Sequence, residues 1–285
     1  MRRPVFLMLA CLGLALPSWS RASAYAVTYD HHLEEPGALE LSFDGLVAPE
    51  SPEGGRRFAA TALELEYGVR GWWTTELYLD GQATEHDGAL FTGAKWENRF
   101  RPLVREHRVN PVLYVELEHV SGADRTMREV VGFDGAADHA EPNAVARRET
   151  EREVETKLIL SSDVRGWNVA ENVVAVKNLD GGAWEAGYAL GVSRPLRLAV
   201  TPEPCRACRE NLTLGVEAYG GLGELARPTL GGTSHYVAPV LEWSVPDGPT
   251  LKLSPGWGLT EESHPMVVRF SIAFELPAIG RRGRR

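Results

Sequence analysis

Residues 62–79 read ALELEYGVRGWWTTELYL, and the alternation within them constrains the chain more than any other feature. Leu63, Leu65 and Tyr67 alternate with Glu64 and Glu66; past Val69-Arg70-Gly71, Trp73, Leu77 and Leu79 alternate with Glu76 and Asp80. A period of two sends successive side chains to opposite faces of a strand, so each strand here has one apolar and one charged face. The rhythm recurs in twelve segments, 36–45, 57–68, 71–82, 89–101, 110–120, 150–161, 166–177, 183–193, 211–220, 234–244, 249–259 and 265–276. Each is about ten residues, the length a tilted strand needs to cross a bilayer. In the last, Met266, Val268, Phe270, Ile272, Phe274 and Leu276 form one face, while 166–177 carries Val and Ala on both.

Alternation alone fits two folds. A soluble β-sandwich turns apolar faces inward, whereas a transmembrane barrel turns them to lipid. Four features favour the barrel. Met1-Arg2-Arg3, then VFLMLACLGLAL, then Ala22-Ser23-Ala24 reads as a secretory signal peptide over 1–24, cleaved before Tyr25. The strand count is even. GVRG (68–71), DVRG (163–166) and VPDGP (245–249) are short turns, whereas 82–89, 177–183, 221–232 and 121–149 are longer, an asymmetry broken only by 102–109 and 194–210. Tyr67, Trp72, Trp73, Trp96, Phe100, Trp167, Trp184, Trp243 and Trp257 fall near strand ends, as interfacial aromatic girdles do. The expected fold is all-β: a single antiparallel up-and-down transmembrane β-barrel of about twelve strands over 25–276, in the bacterial outer membrane. Residues 277–285 form a basic tail, expected to be disordered.

The composition, 24% charged and 44% hydrophobic, adds exclusions. No stretch after residue 24 approaches the roughly 18 apolar residues of a spanning helix. Removing 1–24 takes away Arg2, Arg3 and Arg21 and no acid, moving the formal charge from -9 to -12. Nucleic acid is therefore excluded as a partner, since affinity there comes chiefly from Lys and Arg on phosphate. The expected partners are outer-membrane lipid and a small solute.

If the apolar faces touch lipid, the charged faces line the lumen. The acids there are Glu64, Glu66, Glu76, Asp80, Glu97, Glu116, Glu118, Glu153, Glu155, Glu185, Glu217, Glu242 and Glu275; the bases are Lys95, Arg99, Arg101, Lys157, Lys252 and Arg269. Lys95, Glu97, Arg99 and Arg101 form one row, and cross-strand pairs of Glu76 or Glu116 with it would either close the lumen or leave a narrow, net acidic pore.

Dedicated chemistry is sparse. Cys205 and Cys208 form a C-x-x-C on the short-turn side, read as a local disulfide in an oxidising compartment. No metal or cofactor motif is present; Asp124, Asp134, Asp138, His139 and Glu141 in the 121–149 loop lack calcium-loop spacing. Ser234-His235, Ser263-His264 and His119 with Ser121 are the nearest approach to a nucleophile and base, and no G-x-S-x-G or H-E-x-x-H accompanies them. A non-enzymatic reading is favoured, with a lipid-modifying enzyme and a closed structural or adhesion barrel as alternatives.

The run from ALELEYGVRGWWTTELYL through KWENRFRPL to PVLYVELEH and ETKLILSSDVRGWNVA resembles the outer-membrane barrels grouped as transporters of the phenol-degradation meta-pathway type. That resemblance implies passage of small, aromatic compounds and supplies no catalytic residues. The expected function is a passive, porin-like channel for small aromatic or cationic solutes. The chain departs from many such barrels in ending its last strand at Leu276 rather than on an aromatic residue.

Overall fold

The computed structural model describes residues 23–49, 56–125, 142–199 and 205–276. It is a closed antiparallel barrel of twelve strands, each hydrogen-bonded to the next and the last to the first. They are β1 (Leu39–Ala48), β2 (Phe58–Arg70), β3 (Trp73–Thr84), β4 (Gly88–Phe100), β5 (Asn110–Ser121), β6 (Thr150–Val164), β7 (Trp167–Asn178), β8 (Trp184–Pro195), β9 (Leu212–Glu224), β10 (His235–Ser244), β11 (Thr250–Gly258) and β12 (Met266–Leu276). Closure leaves no strand edge, which is what lets a sheet sit in hydrocarbon with its backbone polar groups satisfied.

Period two decides which face meets lipid. Leu41, Leu65, Leu77, Trp96 and Leu117 lie directly across from one another along one row, and Leu65, Leu77, Trp96 and Leu117 are exposed. The alternate residues Glu66, Glu76, Glu97 and Glu116 are buried inside. The polarity of a soluble strand is thus inverted, as expected from the sequence.

Tyr67, Trp72, Trp167, Trp184 and Trp257 are exposed near strand ends; Trp72, Trp73 and Phe100 stack at one rim, with ring centroids 6.0–6.4 Å apart. Trp96 departs from this pattern. It hangs on the apolar belt within β4, its indole N–H donating to Thr75 Oγ1 at 2.9 Å.

The turns need two corrections. The connection read as 82–89 shrinks to residues 85–87, because β3 and β4 run on to Thr84 and Gly88, with His86 at φ 62. Its polar residues continue the ladder rather than loop out. Similarly β2 continues to Arg70, so Gly71-Trp72 is the turn. The DVRG turn forms on Arg165 (φ 53) and Gly166 (φ 82), a left-handed pair that suits the twist of a tight hairpin. These short turns share one end with the start of β1 and the end of β12, the periplasmic end in such barrels. There too Cys205 and Cys208 are bonded, with Cα atoms 5.3 Å apart. Residues 1–22, the 277–285 tail, and Asp134, Asp138, His139 and Glu141 lie outside the described residues.

Candidate solute pathway and its N-terminal plug

The lumen is built from two unlike walls. Over β1–β6, register sets Glu40, Glu66, Glu76, Glu97, Glu116 and Glu155 directly opposite one another in a single row. Like charges facing across strands repel, so the rows on either side must supply cations. One neighbouring row carries Ser42, Glu64, Tyr78, Lys95, Glu118 and Glu153; the other carries Thr74, Arg99, Tyr114 and Lys157. Arg99 gathers three members of the glutamate row, reaching Glu66 at 2.5 Å, Glu97 at 3.0 Å and Glu76 in a very short contact. Lys157 meets Glu155 at 2.6 Å, and Lys95 lies 3.4 Å from Glu118 and 3.7 Å from Asp80. Tyr78 donates toward Glu76 at 2.6 Å and Glu97 at 2.9 Å.

Of the sequence-derived lumen residues, Glu66, Glu76, Asp80, Lys95, Glu97, Arg99, Glu116, Glu155 and Lys157 are buried inside the barrel, and Arg101 is not among them. Arg101 lies just past the end of β4, where its Nε donates to the Leu103 carbonyl and its guanidinium meets Glu106 at 2.5 Å. It belongs to the periplasmic rim, because the strand ends at Phe100 and the chain turns away. Arg269, on β12 beside β1, lies over the Tyr219 ring at 5.6 Å and lines the same cavity as Arg99.

The second wall, over β8–β12, carries an apolar patch beside its polar residues Glu217, Glu242, Ser254 and Arg269. Ala189, Tyr219, Tyr236, Ala238 and Val267 pack into one buried cluster with Leu46, Ala48, Phe58 and Ala60 of β1–β2. Val27, from the segment preceding β1, completes that cluster.

That segment, residues 23–38, is the feature sequence reasoning missed. It enters beside Gly68, where backbone bonds tie Gly37 N–H to the Gly68 carbonyl (2.7 Å) and Gly68 N–H to the Ala38 carbonyl (3.1 Å). A Cβ at Gly68 would collide with the Glu35 carbonyl, so glycine is what admits the chain. Deeper in, the Glu217 carboxylate accepts the backbone N–H groups of Ala26 (2.9 Å), Val27 (2.9 Å) and Thr28 (2.6 Å). Asn172 grips Tyr29 on both sides, accepting its N–H at 2.7 Å and donating to its carbonyl at 2.8 Å. The Tyr25 hydroxyl reaches Asn168 at 2.9 Å, and its ring fills the space a side chain at Gly191 would take.

The Tyr29 side chain meets the charged wall. Its hydroxyl donates to Glu97 at 3.2 Å, its ring packs edge-on against Tyr114 at 5.3 Å, and Lys157 Nζ lies 4.5 Å from its centroid. Nearer the mouth, His32 sits between Asp30 (3.0 Å) and Asp163 (3.3 Å). Burial pushes the His32 imidazole down, but those carboxylates outweigh it and hold the group up at about 10. His31 is lowered, first by burial and then by the neighbouring His32 charge. Within strands, Gly68 and Gly191 were the sequence signals that something approaches closely.

Beside the plug remains a cavity of about 200 Å³. Its lining includes Glu34, Glu40, Asp44, Glu64, Glu66, Glu76, Asp80, Glu116, Glu118 and Glu155 against Lys95, Arg99, Lys157, Lys252 and Arg269.

A search of solved structures places this architecture. An outer-membrane channel from Pseudomonas putida F1 superposes with a TM-score of 0.52 at 13% identity, over 87% of this chain and 98% of that one. The KdgM porin gives 0.47 at 6% identity, over 83% and 97%, and LpxR from Salmonella typhimurium 0.42 at 10%, over 82% and 99%. The chain has the closed-barrel fold of a bacterial outer-membrane channel. Its sequence matches no known family profile and no curated protein.

Of the serine and histidine candidates, Ser234, His235 and Ser263 are engaged in hydrogen bonds within the barrel. Ser234 Oγ donates to the Glu262 carbonyl, Ser263 Oγ bonds the His235 backbone, and the His235 ring meets Tyr188 (3.0 Å) and Thr233 (2.8 Å). Asp124, the one of the five named loop residues that lies among the described residues, accepts Thr92 Oγ1 at 2.6 Å.

Proposed function

We propose that this barrel is a gated channel for small solutes, aromatic or cationic, held shut by residues 23–38. The observation that carries the reading is the seating of that segment across the lumen, hydrogen-bonded to Glu217 and Asn172 on one side and to Glu97 on the other. A plug held by a few hydrogen bonds to a rigid wall can be released without disturbing the barrel. The carboxylate excess around the remaining cavity favours cations, and Tyr29, Tyr78 and Tyr114 offer faces to aromatic or cationic groups. The superposition on a protein described as a channel agrees with this.

The test is conductance in planar bilayers, comparing the wild-type barrel with a variant lacking residues 25–35. The variant should conduct more and prefer cations, and changing Glu64, Glu66 or Glu116 to Gln in it should weaken that preference. Silence from both proteins would favour a closed structural barrel, the reading that Arg99 and its three carboxylates also support.

A further inference from the structure

We propose that His31, His32 and Asp163 form a binding site for a divalent transition-metal ion of the zinc class, stapling the plug to the wall of the barrel at its periplasmic mouth. One donor atom from each lies within 4.8 Å of the others. Two adjacent residues of an extended chain would point apart. Here the backbone bends at His31, and the two rings lie side by side with centroids 4.3 Å apart.

The arrangement of each ring is what a metal ligand requires. Imidazoles that bind zinc give their second nitrogen to a carboxylate or other acceptor, which fixes the tautomer and aims the free nitrogen. His32 Nδ1 is held by Asp30 at 3.0 Å, leaving Nε2 facing Asp163 Oδ2 at 3.3 Å. His31 Nδ1 is held by Ser161 Oγ, leaving Nε2 facing Glu106 at 3.0 Å. Tetrahedral zinc with bonds near 2.0–2.1 Å separates its ligand atoms by about 3.4 Å, so the 3.3 Å gap between His32 and Asp163 already matches an edge of that polyhedron, and His31 lies within 4.8 Å of both. Glu106, 3.0 Å from His31 Nε2, lies outside the group of three, which leaves the fourth position of the ion to water. Mixed imidazole and carboxylate sets suit zinc and its neighbours better than calcium or magnesium.

Access and charge agree. The His31 side chain is fully buried, whereas those of Asp163 and Glu106 are 42% and 59% exposed, so an ion can enter from solvent on the carboxylate side. It would take the place of the proton between His32 and Asp163, releasing it on binding. Because two ligands belong to the plug and one to β6, the bound ion cross-links them. That consequence for permeation rests on the gating reading above; binding itself does not.

The experiment is calorimetric titration of Zn²⁺ into metal-stripped, tag-free barrel in detergent, with heat-modifiable gel mobility as the check on folding. We expect one saturable Zn²⁺ per chain. His32→Gln and Asp163→Asn should abolish that uptake, and Asp30→Asn should weaken it about 10- to 100-fold, the range for losing such a supporting carboxylate. His119→Gln, on the exposed outer face, should bind as wild type does. No saturable uptake by folded wild type, or uptake unchanged in folded H32Q and D163N, would overturn the site. Zn²⁺ bound through these residues with bilayer conductance unaltered would support the site and count against the plug as a gate.

Discussion

The two walls of the lumen solve the same problem differently. Over β1–β6 a row of six glutamates survives burial because Arg99, Lys95 and Lys157 stand in the flanking rows. Over β8–β12 an apolar patch of Ala, Val and Tyr sits among polar residues, with Glu242 facing Lys252 across strands and Glu217 satisfied by the backbone of the plug. The row on one wall is neutralised by side chains of the barrel itself; Glu217 on the other is completed by the backbone of residues 26–28. A buried carboxylate must find partners, and where those partners sit decides whether the surface is rigid or releasable.

The largest effect should come from breaking the rigid wall. Arg99→Met leaves Glu66, Glu76 and Glu97 facing one another without their shared cation. Removing one partner of a buried ion pair costs about 3–5 kcal/mol, so urea unfolding from lipid vesicles, read by gel mobility, should move by that order. Retention of wild-type stability would show that water in the lumen screens this row.

An intermediate effect is expected at the releasable wall. Glu217→Gln keeps the shape but lacks the charge and can accept through one oxygen only. Hydrogen bonds to a charged group contribute about 1.5–3 kcal/mol each, so the plug should open at least tenfold more often while the barrel keeps its unfolding midpoint. Amide exchange of Ala26, Val27 and Thr28 measures the first, and urea unfolding the second. A loss of global stability equal to that of R99M would erase the distinction between the walls.

How much of this was legible beforehand follows from periodicity. Leu63, Leu65, Leu77 and Leu79 announce the lipid face because burial of one face repeats every second residue, and the lumen residues follow by subtraction. The glutamate row was half legible: Glu66, Glu76, Glu97, Glu116 and Glu155 were assigned to the lumen and Glu40 was not, and their alignment depends on register, which the bulge between Asp80 and Gly81 helps to set and which no single strand reveals. The 23–38 segment was illegible for a different reason. It has no period, because its side chains follow an irregular path and its backbone is held by Glu217 and Asn172, distant in sequence. Arg101 was misplaced by extending the alternation past the strand's end.

The finest distinction between the walls lies in a single hydroxyl. Ser42, beside the charged wall, has its Oγ 2.6 Å from Asp44 and 3.0 Å from Glu64. Ser254, on β11 and separated from β1 by β12 alone, is also buried, but its Oγ meets no hydrogen-bond partner. Replacing either by Ala removes the same atom. At Ser42 the change leaves carboxylates without a donor and should cost about 1.5–3 kcal/mol, the value of a hydrogen bond to a charged acceptor. At Ser254 nothing polar is abandoned, so the change should stay within about 0.5 kcal/mol. The two variants, unfolded side by side from the same vesicles, separate a wall held by its polar network from one held by packing. Equal losses would mean that water supplies Ser254 with a partner as strong as a carboxylate, and the wall of β8–β12 would then have to be redescribed as hydrated rather than dry.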